Sequence, residues 1–389
     1  MSLSSELDHQ IQVARKGKSG VIPVAYNRVK DYIDIAKNTL YSIAGETGVG
    51  KSTLAVDMFL VNPIMWYLAN KNDNIKLSVI YLSMERKLYM MTSRIISRLI
   101  YEEQGIEIPP KKILGRNGGY QLTDSEYALV QEYYKRIDEW EKDDVLICQE
   151  GSKNSTGISM FLEEFAKRNG KITLKDKEDK SYENILAKPK TYEPTHPNHI
   201  VIIITDHIGI LTPEDKGAKT KSTIDVFSRV MREARDVYGF SPVIVQQMNR
   251  NLSDVHRHKM GELKPKLSDI ADSSNTSHDS DVVIILHDPL RHNGEVREAG
   301  FDVKRFKDKF HRNFYRSLHI VKNSFEASDV PFPMGFHPIY GMLATLPRGD
   351  KITEDIYREV LSGQYFLSNG DSQENIEEQV KKPFKFGQK

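Results

Sequence analysis

Gly45-Glu46-Thr47-Gly48-Val49-Gly50-Lys51-Ser52 fits the pattern G-x-x-x-x-G-K-[ST] at every required position. Thr39 to Ala44 before it reads as a short strand, and about Ser52 to Val61 after it as a helix. That context is what the chemistry needs. Glycines let backbone N–H groups converge on phosphate oxygens without Cβ clashes. The helix N-terminus adds partial positive charge. Lys51 would reach the β- and γ-phosphates of a nucleotide, and Ser52 would bind Mg²⁺. The cradle would comprise Gly45, Glu46, Thr47, Gly48, Val49, Gly50, Lys51, Ser52 and Thr53.

Outward from this loop the chain alternates strands with helices. Leu77 to Leu82 is a second apolar strand, followed by Leu88, Met91, Ile95 and Leu99 at helical spacing. Glu126 to Trp140 reads as a charged helix and Val145 to Cys148 as a strand. Ile158, Phe161, Leu162 and Phe165 mark an apolar helix face that stops near Gly170. Ile200-Val201-Ile202-Ile203-Ile204 is an unbroken β-branched run, suited to a central parallel strand buried on both faces. Ile224, Phe227, Met231 and Ala234 mark the next helix, and Val243–Val245, Val282–Leu286 and Leu318–Val321 further strands. The pattern predicts an α/β fold with a mainly parallel twisted sheet and helices on both faces.

Such sheets bind ligands at the carboxyl ends of their strands. Asp206 ends the apolar strand and would hold Mg²⁺ through water. Glu85 follows the second strand in Ser83-Met84-Glu85 and would position or deprotonate the attacking water. Gln247 follows Val243–Val245 and would sense the γ-phosphate.

Composition narrows the class. The 39% hydrophobic and 28% charged residues are ordinary for a globular protein, so 389 residues suffice for a large core without metals or disulfides. Lys+Arg 55 against Asp+Glu 54 excludes a globally basic coat while leaving room for a local basic track. The single Cys148, in an apolar stretch, excludes a disulfide framework and reads as an inert core thiol. No apolar run approaches the ~18 residues of a membrane span, and the N-terminus lacks a signal pattern. The expectation is a cytoplasmic protein, or one of the host cytoplasm if phage-encoded, with no membrane partner.

Five stretches in order carry a resemblance: Gly20-Val21-Ile22-Pro23 with Val29-Lys30-Asp31; the phosphate loop; Val79-Ile80-Tyr81-Leu82-Ser83-Met84-Glu85; Ile202-Ile203-Ile204-Thr205-Asp206-His207; and Gln246-Gln247-Met248-Asn249-Arg250. Leu267-Ser268-Asp269-Ile270 and Asp279-Ser280-Asp281-Val282-Val283 extend it. The set resembles the RecA-like P-loop NTPase core of DnaB-type replicative helicases, over about residues 20–345. The resemblance implies an ATP-hydrolysing, ring-forming DNA helicase motor. It implies ATP and Mg²⁺ as cofactors, single-stranded DNA as the track, and self-assembly as a homohexamer. Primase, a loader or other replication proteins are its candidate partners. It also implies an arm or linker helix over residues 1–20 and an ATPase domain over 21–367, with insertions at about 170–198 and 290–316. A disordered tail would cover 368–389. The family's separate primase-binding domain has no room in the first 20 residues.

Two departures bear on the chemistry. The family's DNA loop carries Arg-Glu-Ser-Gly where Ala271-Asp272-Ser273-Ser274 stands here. The family's late strand ends Lys-x-Arg, the Arg entering the neighbour's ATP site; here it reads Lys322-Asn323-Ser324. Lys322 shares a strand face with Ser324 and would be the trans cation; the alternative is an Arg from the second insertion, Arg305, Arg312 or Arg316. For DNA, the candidates are Lys216, Lys219, Lys221, Arg250, Asp272, Ser273 and Ser274. The stretch 302–316 interleaves cations with Phe306, Phe310, Phe314 and Tyr315, which suits phosphate contact plus base stacking or, alternatively, aromatics facing the core. A RecA-fold ATPase without unwinding activity (a loader, recombination mediator or packaging factor) and an ATP-bound scaffold are the rival readings.

Overall fold

The computed structural model describes residues 20–70, 75–84, 87–116, 118, 121–150, 154–174, 190–213, 220–249, 257, 264–270, 274–291 and 297–368, with 4, 7, 8, 11, 12 and 15 of the N-terminal segment. The main sheet has nine strands among these residues. In chain order they are β1 Tyr41–Gly45, β2 Lys76–Ser83, β3 Leu146–Glu150, β4 His199–Asp206 and β5 Ser241–Gln247. Then follow β6 Val282–His287, β7 Tyr315–Asn323, β8 Val330–His337 and β9 Met342–Thr345. Across the sheet the order is β9-β8-β7-β6-β1-β5-β4-β2-β3. The six strands from β6 to β3 are parallel, and β7, β8 and β9 form an antiparallel wing.

Parallel central strands must bury both faces, and these do. Every residue of β4 is buried. Its Ile200, Ile202 and Ile204 belong to one core cluster, Val201 and Ile203 to the other. The first cluster is covered by α1 (Lys51–Ala69), α2 (Leu88–Gln104) and α3 (Asp124–Lys142). The second lies under α4 (Ser155–Asn169) and α5 (Thr220–Asp236).

Helix α1 outruns the expected end at Val61. A proline inside a helix lacks a donor and clashes with the carbonyl four residues back. Here the turn before Pro63, Asp57–Val61, is π-helical, which shifts the hydrogen-bond register ahead of the proline. Asp57 at the start of this wide turn is buried. It pairs with Arg98 of α2 and accepts from Tyr26 and from the Leu343 N–H of β9. By length and composition alone α1 can cross a membrane, which the sequence reading did not expect. Its buried ion pair and its packing under the sheet make it the core helix of this fold.

The stretch 302–316 turns largely toward the core. Phe306, Phe314 and Tyr315 are buried together with Phe301 and Val303 in a third core cluster, and only Phe310 of the four interleaved aromatics is exposed. Of the two alternatives for this stretch, core packing holds for the first three. Residues 315 and 316 belong to the long strand β7. The other proposed insertion opens and closes as a hairpin, Gly170–Leu174 with Lys190–Pro194, whose Tyr192 packs on Tyr238 and Phe240. Cys148 is half-buried on β3, and burial pushes its thiol up to about 12, as an inert thiol requires. The tail beyond residue 368 lies outside the described residues.

Candidate active site

The strand register brings the predicted residues into one row. Gly45 at the end of β1 pairs with Gln247 at the end of β5, and Ser83 of β2 pairs with Asp206 of β4. Between β1 and α1 the phosphate loop turns back over this edge. Two of its glycines are required. A Cβ on Gly45 would stand 2.6 Å from the Leu286 carbonyl, and Gly50 adopts φ +112° with the Phe336 ring 3.2 Å from the Cβ position. Thr47 and Gly48 form the exposed tip, and Val49 is buried beneath it.

Lys51 is 9% exposed and donates to the Glu46 carbonyl at 2.9 Å, so its ammonium lies over the loop. Ser52 Oγ donates to Asp206 Oδ1 at 2.7 Å, while the Tyr81 hydroxyl donates to Oδ2 at 3.0 Å. Thr53 is half-buried one residue further along α1. A hydroxyl and a carboxylate side by side are the hard oxygen donors that Mg²⁺ takes, the remaining positions usually going to water and phosphate. Among the described residues no group of three or more His, Cys, Asp or Glu forms a fuller metal cage.

Gln247 Nε2 stands 2.9 Å from His207 Nε2, so the amide donates and the ring nitrogen accepts. His207 follows Asp206 with φ 112° and ψ 109°, a conformation that side-chain-bearing residues rarely adopt. Its Nδ1 is buried with no partner among the described residues. Glu85 lies outside the described residues, just past Met84, whose N–H bonds the Asp206 carbonyl.

The proposed trans residue sits elsewhere. Lys322 is near the far end of β7, opposite Val283, and its ammonium donates to the carbonyls of Ser277 and His278 at 3.2 and 2.9 Å. The three alternative arginines are engaged within the chain. Arg305 pairs with Glu354 and stacks on Tyr357, and Arg312 pairs with Asp308. Arg316, at 6% exposure, donates to the Val49 carbonyl of its own phosphate loop. Within the chain, Arg316 is thus anchored in cis.

Of the candidate DNA contacts, Lys216, Lys219, Arg250, Asp272 and Ser273 lie outside the described residues. Lys221 is exposed on the first turn of α5, and Ser274 opens the short helix α6, Ser274–Asp279. The two helices meet where Asn275 donates to Asp225 at 2.9 Å. Thr276 donates to the buried Gln246 beside Gln247, and Gln246 to Ser42.

Sequence reading gave no role to Tyr81 or His207, and it offered Arg316 to a neighbour's site rather than to its own phosphate loop. A tyrosine or arginine in an otherwise apolar strand was the available signal, since each needs a polar partner when buried.

No curated protein matches the chain. Among solved structures it is similar to one described as an ATPase domain, with a TM-score of 0.59 and 14% identity over 89% of this chain and 99% of that one. It is also similar to a DnaB-like replicative helicase described with its interactions with primase, with a TM-score of 0.56 and 14% identity over 84% of this chain. The chain spans 63% of that protein's length. At such identities the likeness establishes the fold alone, a RecA-like core. The model of the DnaB-like helicase C-terminal domain matches residues 22–313, most of the chain, and the protein belongs to that family.

Proposed function

We propose that the chain is an ATP-hydrolysing motor that assembles as a ring, a homohexamer, and moves along single-stranded DNA in replication. The observation that carries this reading is the Ser52–Asp206 pair beside Lys51, at the carboxyl edge of a parallel sheet. In it, Lys51 and the loop amides bind the phosphates, and Ser52 and Asp206 hold Mg²⁺. When bound, the ion would supply positive charge against the negative charge that develops on the reacting phosphate. Glu85 orients the attacking water, Gln247 senses the γ-phosphate, and Lys322 of a neighbouring copy supplies the trans cation. To do so Lys322 must leave the Ser277 and His278 carbonyls.

DNA contact is assigned to Lys216, Lys219, Lys221, Arg250 and Asp272 to Ser274. Support comes from the meeting of α5 with α6 and from Thr276–Gln246, which ties the latter helix to the strand bearing Gln247. Cations and backbone amides suffice for sequence-independent strand binding. Residues 1–20 are assigned to an arm that docks on the next subunit; Leu7 and Ile11, one turn apart, are 62% and 45% exposed. Primase or a loader would be further partners, and the compartment is the cytoplasm in which replication takes place.

A second reading, a RecA-fold ATPase that does not unwind, is favoured by Ser324 and by the cis engagement of Arg305, Arg312 and Arg316. ATP turnover with and without single-stranded DNA, alongside displacement of a strand from a forked duplex, separates the two. DNA-stimulated turnover with displacement supports the motor. Turnover without displacement supports the second reading, and absence of turnover removes both.

A further inference from the structure

We propose that Arg316 is a positioning residue for the phosphate loop, bracing it from behind so that the Val49–Gly50 peptide holds its N–H toward bound phosphate. The inference rests on the ATP-binding reading above and names a residue which that reading does not use.

Arg316 Nε donates to the Val49 carbonyl at 2.7 Å. The carbonyl of Val49 and the N–H of Gly50 belong to one planar peptide and point in opposite directions, so fixing one fixes the other. Gly50 at φ +112° has the freedom to let that peptide turn, which makes an external brace useful. The guanidinium itself is held on several sides. It lies 4.4 Å over the Phe336 ring, the same ring that closes off the Cβ position of Gly50. Nη1 donates to the Tyr315 carbonyl at 2.6 Å and stands 3.6 Å from Asp288 Oδ2. Asp288 Oδ1 accepts from Asn313 at 2.8 Å and from the Leu290 N–H at 3.1 Å.

Charge makes the case stronger than packing alone. Burial and the neighbouring Arg291 both disfavour the charged form of Arg316, while Asp288 at 3.6 Å offsets them only in part. A buried cation is costly unless an anion compensates it. Phosphate held by the loop is such an anion. Coupling of this kind is reciprocal: the nucleotide stabilises the cation, and the cation raises nucleotide affinity. Because the braced amide faces phosphates that ATP and ADP share, both nucleotides should depend on it alike.

The test is equilibrium binding of ATP and of a fluorescent ADP to the full chain and to Arg316→Met and Arg316→Lys, with melting temperatures taken with and without ADP. Arg316→Met should weaken both nucleotides by roughly tenfold to a hundredfold, the scale of one charge-assisted contact. It should also shrink the ADP-induced rise in melting temperature, a readout that a merely structural residue would leave intact. Arg316→Lys keeps the charge and loses the planar donor, so it should fall between. KM should rise in both, with kcat within about threefold of wild type. If Arg316→Met does not fold, Arg316→Lys decides by the same readouts. Variants that bind both nucleotides as wild type does, with the full ADP-induced shift, overturn the inference alone. A wild-type chain that binds neither nucleotide overturns the underlying reading and the inference with it.

Discussion

The two edges of the central sheet differ in how much chemistry one chain assembles by itself. At the carboxyl edge, Lys51, Ser52, Asp206, Tyr81, Gln247 and His207 are drawn together by hydrogen bonds between strands that meet in register. At the amino edge, β7 brings Lys322 and Asn323 to the level of Val283 and Val282, the latter paired with Tyr41 at the start of β1. There the cation is engaged by backbone carbonyls, and Ser324 stands two residues on. Strand β7 connects the two edges, with Arg316 at one end and Lys322 six residues away, about 20 Å at strand rise. The difference teaches that affinity and hydrolysis need not be governed from one place. In the proposed motor, the carboxyl edge would set affinity while the rate would depend on what the other edge offers a neighbour.

The largest expected effects are at the carboxyl edge. Lys51→Ala should abolish nucleotide-dependent activity, and Glu85→Gln should keep ATP binding while slowing hydrolysis by about 10²–10⁴. Equal turnover by Glu85→Gln and wild type would remove Glu85 from the mechanism and leave the cis edge without its water-orienting acid. At the opposite edge, Lys322→Ala should lower the rate per site at saturating ATP by about tenfold to a hundredfold, below the ~10³–10⁵ that a trans arginine supplies. Ser324→Arg should raise it. Normal hydrolysis by Lys322→Ala would mean that the amino edge contributes no trans cation, and the contrast between the edges would become one of presence against absence.

Assembly probes the same contrast with a smaller effect. Deleting residues 1–18 should weaken the oligomer by about 2 kcal/mol, from the partial burial of Leu7 and Ile11, and leave a folded monomer. Light scattering in the presence of nucleotide reads the mass, and an unchanged mass would show the arm dispensable. The smallest effect lies at the amino edge in His199, which opens β4 and is 4% exposed, with Ser78 Oγ 3.0 Å from its ring. Burial first, then Lys76, His196 and Lys37, pushes the ring down to about 3. The unfolded chain binds a proton below about 6.5 that the folded chain refuses until about 3. This contribution is whole above that upper value and is lost as pH falls, by at most about 1.4 kcal/mol per pH unit. Urea unfolding at pH 7 and pH 5 should show the loss, and His199→Gln should flatten it.

The parallel half of the sheet was legible because its strands are apolar runs bounded by helical periodicity, and β4 is the plainest of them. Of the antiparallel wing only the middle of β7, Leu318–Val321, was legible. Strand β8 carries Pro331, Pro333 and Gly335, residues that read as strand breakers, yet it lies between β7 and β9. Tertiary pairing overrode local propensity there. The site divides the same way. The phosphate loop is a local motif, and Asp206 and Gln247 stand at strand ends that pattern reveals. Tyr81 reaches Asp206 across 125 residues of chain, and Arg316 reaches Val49 across 267, through strand register that no local pattern encodes.

Strand β1 has a consequence for how the protein is made. Tyr41 pairs with Val243 on one side and Val282 on the other. At synthesis rates of roughly 5–20 residues per second, the first partner emerges about 10–40 seconds after β1, and the second later still. Through that interval the strand that will bear the phosphate loop has two unpaired edges, each a template for the wrong neighbour. The yield of native chain in the cell should therefore depend on elongation rate and on chaperone supply far more than the stability of the finished sheet would indicate.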